Sequence, residues 1–434
     1  MYEARKQFDE SLRKDKFEDL FMERRKKILG MMASPNSKYS TEARNAEDMV
    51  EEVPEIFRHK QDYLTILAKF EKYAKDFDDS KTEEQYTIIL RNLNREISEY
   101  VTHSQQEQVT YALNAFYNSG LPRYFLQFLK PGYRGNKDHV RYSLQALSNA
   151  SLGMLVQSEI LISLGVLDLC AELFVDQKNP ISTNFGMLMW LLCNAVGKHI
   201  QVRDLVLQHP TLLDNLVHCW DNRSVSLDDS KLLIWFCSNL IRSKTPEYGV
   251  GFRFAKRAAG IFLKYHPEPE VYEEGICTFD YWLSGTDEPI QRARDLMGWN
   301  VWRNVRENWG GGNARTVRQS LRMLGSLSST NQDDLLAALF DLELCESLLK
   351  NATHHASAIA TDSMWVVSNL LASGAMVQSK ISSAGVIKVC QYHLQSSYST
   401  LKVESLKLLN NFITTSNAAR FELILNSTPD VCLV

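Results

Sequence analysis

The chain has 434 residues, a formal net charge of −4 and a sequence pI near 6.2. That balance excludes a globally basic nucleic-acid binder, while leaving local patches of either sign open. Cys170, Cys193, Cys219, Cys237, Cys277, Cys345, Cys390 and Cys432 are scattered without a CxxC or a Cys/His cluster, so they read as buried free thiols in a reducing compartment.

Residues 1–30 carry nine Lys/Arg and seven Asp/Glu with no Gly before Gly30, which suits a charged helical arm but cannot form a core. The segment has no apolar stretch for export, and nowhere does a run of about 18 apolar residues offer a bilayer span. A soluble, intracellular protein is expected. Residues 31–58 turn to Ser, Asn, Pro and acids, a flexible acidic linker too polar to offset the entropy of ordering. Residues 59–434 form the third region, a helical array. Tyr63–Tyr73 and Tyr86–Leu93 space their apolar residues as helices and are expected to cap the N-terminal end of that array.

From about Asn94 the chain becomes a series of short amphipathic helices punctuated by SGLP, SLGV, GTDEP and SSAGV. A motif recurs through it: Gln145/Asn149, Trp190/Asn194, Trp235/Asn239, Cys277/Tyr281, Arg322/Ser326, Trp365/Asn369 and Lys407/Asn411. Its second positions step by 45, 45, 42, 45, 43 and 42 residues. Such a period marks stacked helical repeats, and three helices per unit is the armadillo form. About eight units are expected, in one elongated all-α solenoid.

Residues i and i+4 share a helix face, so each Trp and Asn project together. An Asn amide can both donate to and accept from an extended peptide backbone, and a Trp face can seat the cation of a Lys or Arg. Asn is an unfavourable choice in mid-helix, so its repetition at one phase asks for a shared reason. The pattern predicts a surface that reads basic extended peptides. Trp220, Trp282, Trp299, Trp302 and Trp309 fall outside the register and are assigned to packing.

These motifs resemble the importin-α (karyopherin-α) family. The likeness covers nearly the whole chain and is most specific in WLLCNAVGKHIQVRDLVL (190–207), WFCSNLIRSKTP (235–246) and WVVSNLLASG (365–374). The resemblance implies a right-handed superhelix and a nuclear-import adaptor that shuttles between cytoplasm and nucleus. It implies a major site for basic localisation signals of cargo proteins at Gln145, Asn149, Ser158, Trp190, Asn194, Lys198, Trp235 and Asn239. A minor site is implied at Tyr281, Arg322, Ser326, Trp365, Asn369, Glu404, Lys407 and Asn411. Residues 5–27 resemble the family's importin-β-binding segment, with Arg5, Lys6, Leu12, Arg13, Lys14, Lys16, Arg24, Arg25, Lys26 and Lys27 as the implied contacts. The Arg24–Lys27 cluster is also implied to occupy the chain's own groove when importin-β is absent, as a tethered competitor.

The sequence departs from the family pattern at three places. Gln145 and Lys407 stand where the family has Trp, and Lys198 stands where it has the acid that neutralises a cargo lysine. Both sites read as weakened, with the strongest grip expected at Trp190, Asn194, Trp235 and Asn239. The family's last repeats, implied to bind the nuclear export receptor, are missing from the pattern. A structural or signalling armadillo scaffold with another peptide ligand is the alternative reading.

No Walker A loop, HExxH helix, GxSxG elbow or metal-spaced His/Cys set is found, so no enzyme, cofactor, metal, direct nucleic-acid contact or membrane insertion is expected. GGGN at 310–313 and His354/His355 read as loops. Lys244–Arg257 reads as a basic, aromatic connection between helices, either a solvated linker or a partner patch.

Overall fold

The computed structural model describes residues 55–103, 106–152, 155–176, 184–242, 246–284, 291–293, 305, 313–329 and 333–415. No strand occurs among them. They divide into two compact units, the first ending at Asp229 and the second beginning at Ser230.

The first unit holds α1 (Glu55–Asp79), α2 (Glu83–His103), α3 (Gln106–Asn118), α4 (Pro122–Phe128), α5 (Lys137–Ala150), α6 (Leu155–Ser163), α7 (Val166–Val175), α8 (Phe185–Lys198), α9 (Ile200–Gln208) and α10 (Leu212–Asp221). The division falls within α11 (Leu227–Ile241). The second unit continues with α12 (Tyr248–Tyr265), α13 (Pro269–Ser284), α14 (Ala314–Ser328), α15 (Asp333–Leu339), α16 (Leu342–Asn351), α17 (Ser357–Leu371), α18 (Ala375–Gln378), α19 (Ser383–Leu394) and α20 (Ser399–Thr414).

Local chemistry sets the helix starts. Asn136 accepts from the backbone N–H groups of Asp138 and His139 to open α5, Asn313 does the same for Arg315 and Thr316 in α14, and Asp341 accepts from Leu344 N–H in α16. Gly165, at φ 83°, supplies the left-handed turn that separates α6 from α7.

Packing then repeats in three rows. In the first unit α6 packs on α9, α7 on α10, and α2, α5 and α8 stack in succession. The second unit shows the same rows, with α15 on α18, α16 on α19, and α13, α14, α17 and α20 in succession. First, second and third helices therefore each meet their own kind in the next repeat, the armadillo-like arrangement that the 42–45-residue step predicts. Six of the seven motif pairs lie on these third-row helices, and Trp235/Asn239 lies on α11.

Aromatic cores fill each unit. Phe77 stacks on Tyr124 at 4.8 Å and meets Phe125 and Phe128, while in the second unit Phe262 meets Phe279 edge-on at 5.2 Å. None of the seven described cysteines is in a disulfide. Burial pushes up the thiols of Cys170, Cys219, Cys237, Cys345 and Cys390, to about 12 in Cys170 and Cys390 and to about 11 in Cys345, so these stay protonated at neutral pH.

The structure corrects two sequence expectations. Helix α1 opens at Glu55, inside the stretch read as linker, because its apolar face (Ile66, Phe70, Phe77) continues the core. Residues 248–257 are the first turns of α12 and not a connection. Gly251 lies so close to Trp282 that a Cβ would meet the ring at 2.6 Å, and the helix needs glycine there for contact. His354 and His355 do lie between helices, with rings stacked at 4.1 Å. The arm at residues 1–30 and Trp299, Trp302 and Trp309 fall outside the described residues.

His139 on α5 is buried, and its Nε2 lies 2.7 Å from Thr87 Oγ1. The Thr87 hydroxyl donates to Glu83 O at 2.8 Å, so Nε2–H must be the donor to Oγ1. Burial pulls the His139 pKa below its usual value, against smaller upward contributions from Glu83 and Asp138. The unfolded chain therefore binds the proton more readily, and stability present above about pH 6.5 is lost as the pH falls through and below that value. His139→Gln, which keeps a donor, is expected to flatten this part of the slope between pH 6.5 and 5 in denaturation midpoints. An unchanged slope rules His139 out as its source.

Candidate peptide-binding surface

Helices α5, α8, α11, α13, α14, α17 and α20 place every groove candidate except Ser158, but at unequal depth. Trp190 on α8 and Trp235 on α11 are 0% and 3% exposed, so neither ring has an open face for a cation. Trp365 on α17 is half-buried and accessible. Its ring lies over Gly325 of α14, so close that a Cβ there would clash with the ring carbons, and glycine is required for this approach. Gln145, Ser326, Asn369 and Asn411 are likewise half-buried, whereas Asn149, Asn194 and Asn239 are buried.

The asparagines hold adjacent repeats together. Asn194 Nδ2 donates to Ser148 O at 2.8 Å, Asn369 Nδ2 to Gly325 O at 3.3 Å and Ser328 Oγ at 3.2 Å, and Asn411 Nδ2 to Ser368 O at 3.2 Å and Ser368 Oγ at 2.8 Å. Asn149 Nδ2 reaches Ser98 Oγ at 3.0 Å. The first three span 46, 44 and 43 residues, one repeat each. The shared reason for Asn in mid-helix thus includes a hydrogen bond to the preceding third helix. What remains for a ligand is Oδ1, an acceptor, on the half-buried Asn369 and Asn411.

Sequence reasoning missed the serines that receive these bonds. Their signal was present: Ser precedes Asn at 148–149, 238–239 and 368–369. In the second row Asn215 Nδ2 donates to Ala171 O at 3.0 Å; elsewhere the ammonium groups of Lys198, on α8, and Lys380, just past α18, donate to Leu152 O and Ala337 O. Every one of these donors sits one repeat after its acceptor.

Charge on the surface is already paired. Lys198 is held against the carbonyl just past α5, which favours a cation. Glu404 and Lys407 pair at 2.9 Å on α20, and Arg322 faces Asp280 at 3.7 Å. Arg315 and Arg318 reach Glu273 and Asp362 at 2.6 and 3.0 Å, so α14 presents three arginines, each facing an acid on a neighbouring third helix. Tyr281 is half-buried, and burial raises its phenol, with Cys277 adding to the effect. Ser158 stands apart on α6, buried at a cavity of about 20 Å³ shared with Ser151, Leu161, Cys170 and Leu191, room for about one water. Among the described residues no His/Cys/Asp/Glu cluster could hold a metal, and no helix is long and apolar enough to cross a membrane.

No known family profile and no curated protein sequence matches the chain. Among solved structures, a crystal structure of an engineered protein superposes with a TM-score of 0.64 at 15% identity, covering 83% of this chain and 92% of that one. A designed armadillo repeat protein in complex with the peptide (KR)4 gives 0.33 at 14% identity, over 67% of this chain and 98% of that one. At such identity the first likeness is one of fold. The fold and its third-helix surface define an armadillo-like helical repeat scaffold.

Proposed function

We propose that the chain is a nuclear-import adaptor that binds basic localisation-signal peptides along its third-helix surface and importin-β through residues 1–30. The observation that carries the peptide reading is the row Trp365, Asn369 and Asn411: one accessible ring beside two amides whose oxygens remain open. The Trp365 face suits a Lys or Arg stem and cation, worth about 0.5–2 kcal/mol, and the Asn oxygens suit peptide N–H groups. Glu404 then receives a second cation once Lys407 swings away. Trp190 and Trp235 take part only if the chain opens around them, so the grip moves from the pairs favoured by the sequence to the minor-site residues. The arm's basic cluster at Arg24–Lys27 supplies a tethered competitor.

The test is a fluorescence-polarisation titration of the full chain with a Lys/Arg-rich peptide. Trp365→Ala is expected to weaken binding about tenfold, which corresponds to about 1.4 kcal/mol. Charge reversal at Arg24 and Arg25 is expected to strengthen binding and to abolish importin-β capture. Absence of saturable binding in both the full chain and the charge-reversed variant overturns the proposal. One observation favours the second reading, a scaffold for another peptide: the cations Lys198, Arg322 and Lys407 stand among the candidate contacts. Peptide binding without importin-β capture would select it.

A further inference from the structure

The aromatic stretch at the start of α12, which the proposed groove does not use, meets the out-of-register Trp282. Tyr248 and Phe252 stack at 5.8 Å with planes 7° apart, and both lean on Trp282 at 5.6 and 6.3 Å. The guanidinium of Arg292 lies over Trp282 at 4.4 Å and near Tyr248 at 5.9 Å, and its Nη1 donates to Trp282 O at 2.9 Å. One turn beyond Phe252, the exposed Lys256 holds its ammonium 6.0 Å from that ring. Two cations thus rest on one ring cluster.

Arg292 differs from six other half-buried or buried arginines. Arg134, Arg203, Arg223, Arg315, Arg318 and Arg322 each reach a carboxylate within 4 Å. Arg292 reaches none among the described residues, and its Nε and Nη2 have no partner there. Its pKa is lowered by burial, with only the Tyr248 hydroxyl acting the other way. A stacked guanidinium with one edge fixed presents the other as a fork for an oxyanion.

From this arrangement we infer that Trp282, Tyr248, Phe252, Arg292 and Lys256 form a second binding site, which takes carboxylate side chains of an acidic peptide segment. Arg292 supplies the bidentate contact, Lys256 a second point charge, and the exposed Tyr248 ring packs the aliphatic stem of a Glu. A nucleic-acid strand fits less well. Its phosphates call for a continuous track of cations, whereas this patch offers two and is flanked by the exposed Glu247. The site has the opposite sign preference from the proposed groove, so the two stand or fall separately.

The experiment is calorimetric titration of the full chain with a capped dodecapeptide alternating Glu and Ala, with its Gln counterpart and with an oligo-dT of equal length. The acidic peptide is expected to bind saturably, to weaken with salt, and to lose about tenfold affinity in Arg292→Gln and about threefold in the surface variant Lys256→Gln. Binding of basic peptide is expected to stay unchanged in both. No saturable binding of the acidic peptide, equal binding of its Gln counterpart, or unchanged affinity in Lys256→Gln overturns the inference. So does tighter, Arg292-dependent binding of oligo-dT.

Discussion

Trp190→Ala is expected to destabilise the protein by about 3–5 kcal/mol, the usual cost of removing a large aromatic side chain from a closed core. Trp190 is 0% exposed, and its neighbours on α8 from Phe185 to Asn194 are all buried, so little relaxation is available to fill the cavity. Chemical denaturation followed by circular dichroism reads this directly. Any loss of peptide binding in this variant would then report unfolding, which is why Trp365, half-buried, is the better residue for a binding test. A midpoint within experimental error of the parent would show that the Trp190 ring is not part of the core.

Arg134→Ala is expected to cost about 2–4 kcal/mol, toward the lower part of what breaking a buried ion pair costs because one partner is half-exposed. The Arg134 side chain is 3% exposed and reaches Glu172 at 2.8 Å and Asp176 at 3.1 Å, at the C-terminal end of α7, while its Nε donates to Leu129 O at 2.5 Å. Its removal leaves two carboxylates one helical turn apart with no cation between them. Arg134→Lys is expected to recover little, since an ammonium cannot bond both acids and the carbonyl in the planar fork. Arg134→Met combined with Glu172→Gln and Asp176→Asn is expected to recover more than half. Equal stability of Arg134→Lys and the parent, measured by thermal melts, would refute the fork as the source.

The repeat fold was legible because spacing fixes phase. Trp190/Asn194 and Trp365/Asn369 lie on α8 and α17 at one step's multiple, and even degenerate pairs such as Cys277/Tyr281 and Arg322/Ser326 fall on α13 and α14, third-row helices. Depth was not legible. An i, i+4 pair reports which face two residues share, but not whether the neighbouring repeat covers that face, and so Trp190 and Trp365 look alike in sequence and differ in exposure. Nor could the partners of Asn be read, because a side-chain amide suits a ligand backbone and a neighbouring helix end equally well. Helix α12 was not legible either, since the approach of the Trp282 ring to Gly251 joins residues far apart in the chain.

The asparagine bonds between repeats, with those of Lys198 and Lys380, point toward the N-terminus, and this gives the array a direction. Cutting away a later repeat leaves behind a carbonyl such as Ser148 O, which still accepts from Ser151 Oγ at 2.7 Å. Cutting away an earlier repeat strips the acceptor from a buried donor such as Asn194 Nδ2, a loss that nothing nearby repairs. Shortening the array from its beginning is therefore the more damaging operation, and each repeat serves as the template on which the next one closes.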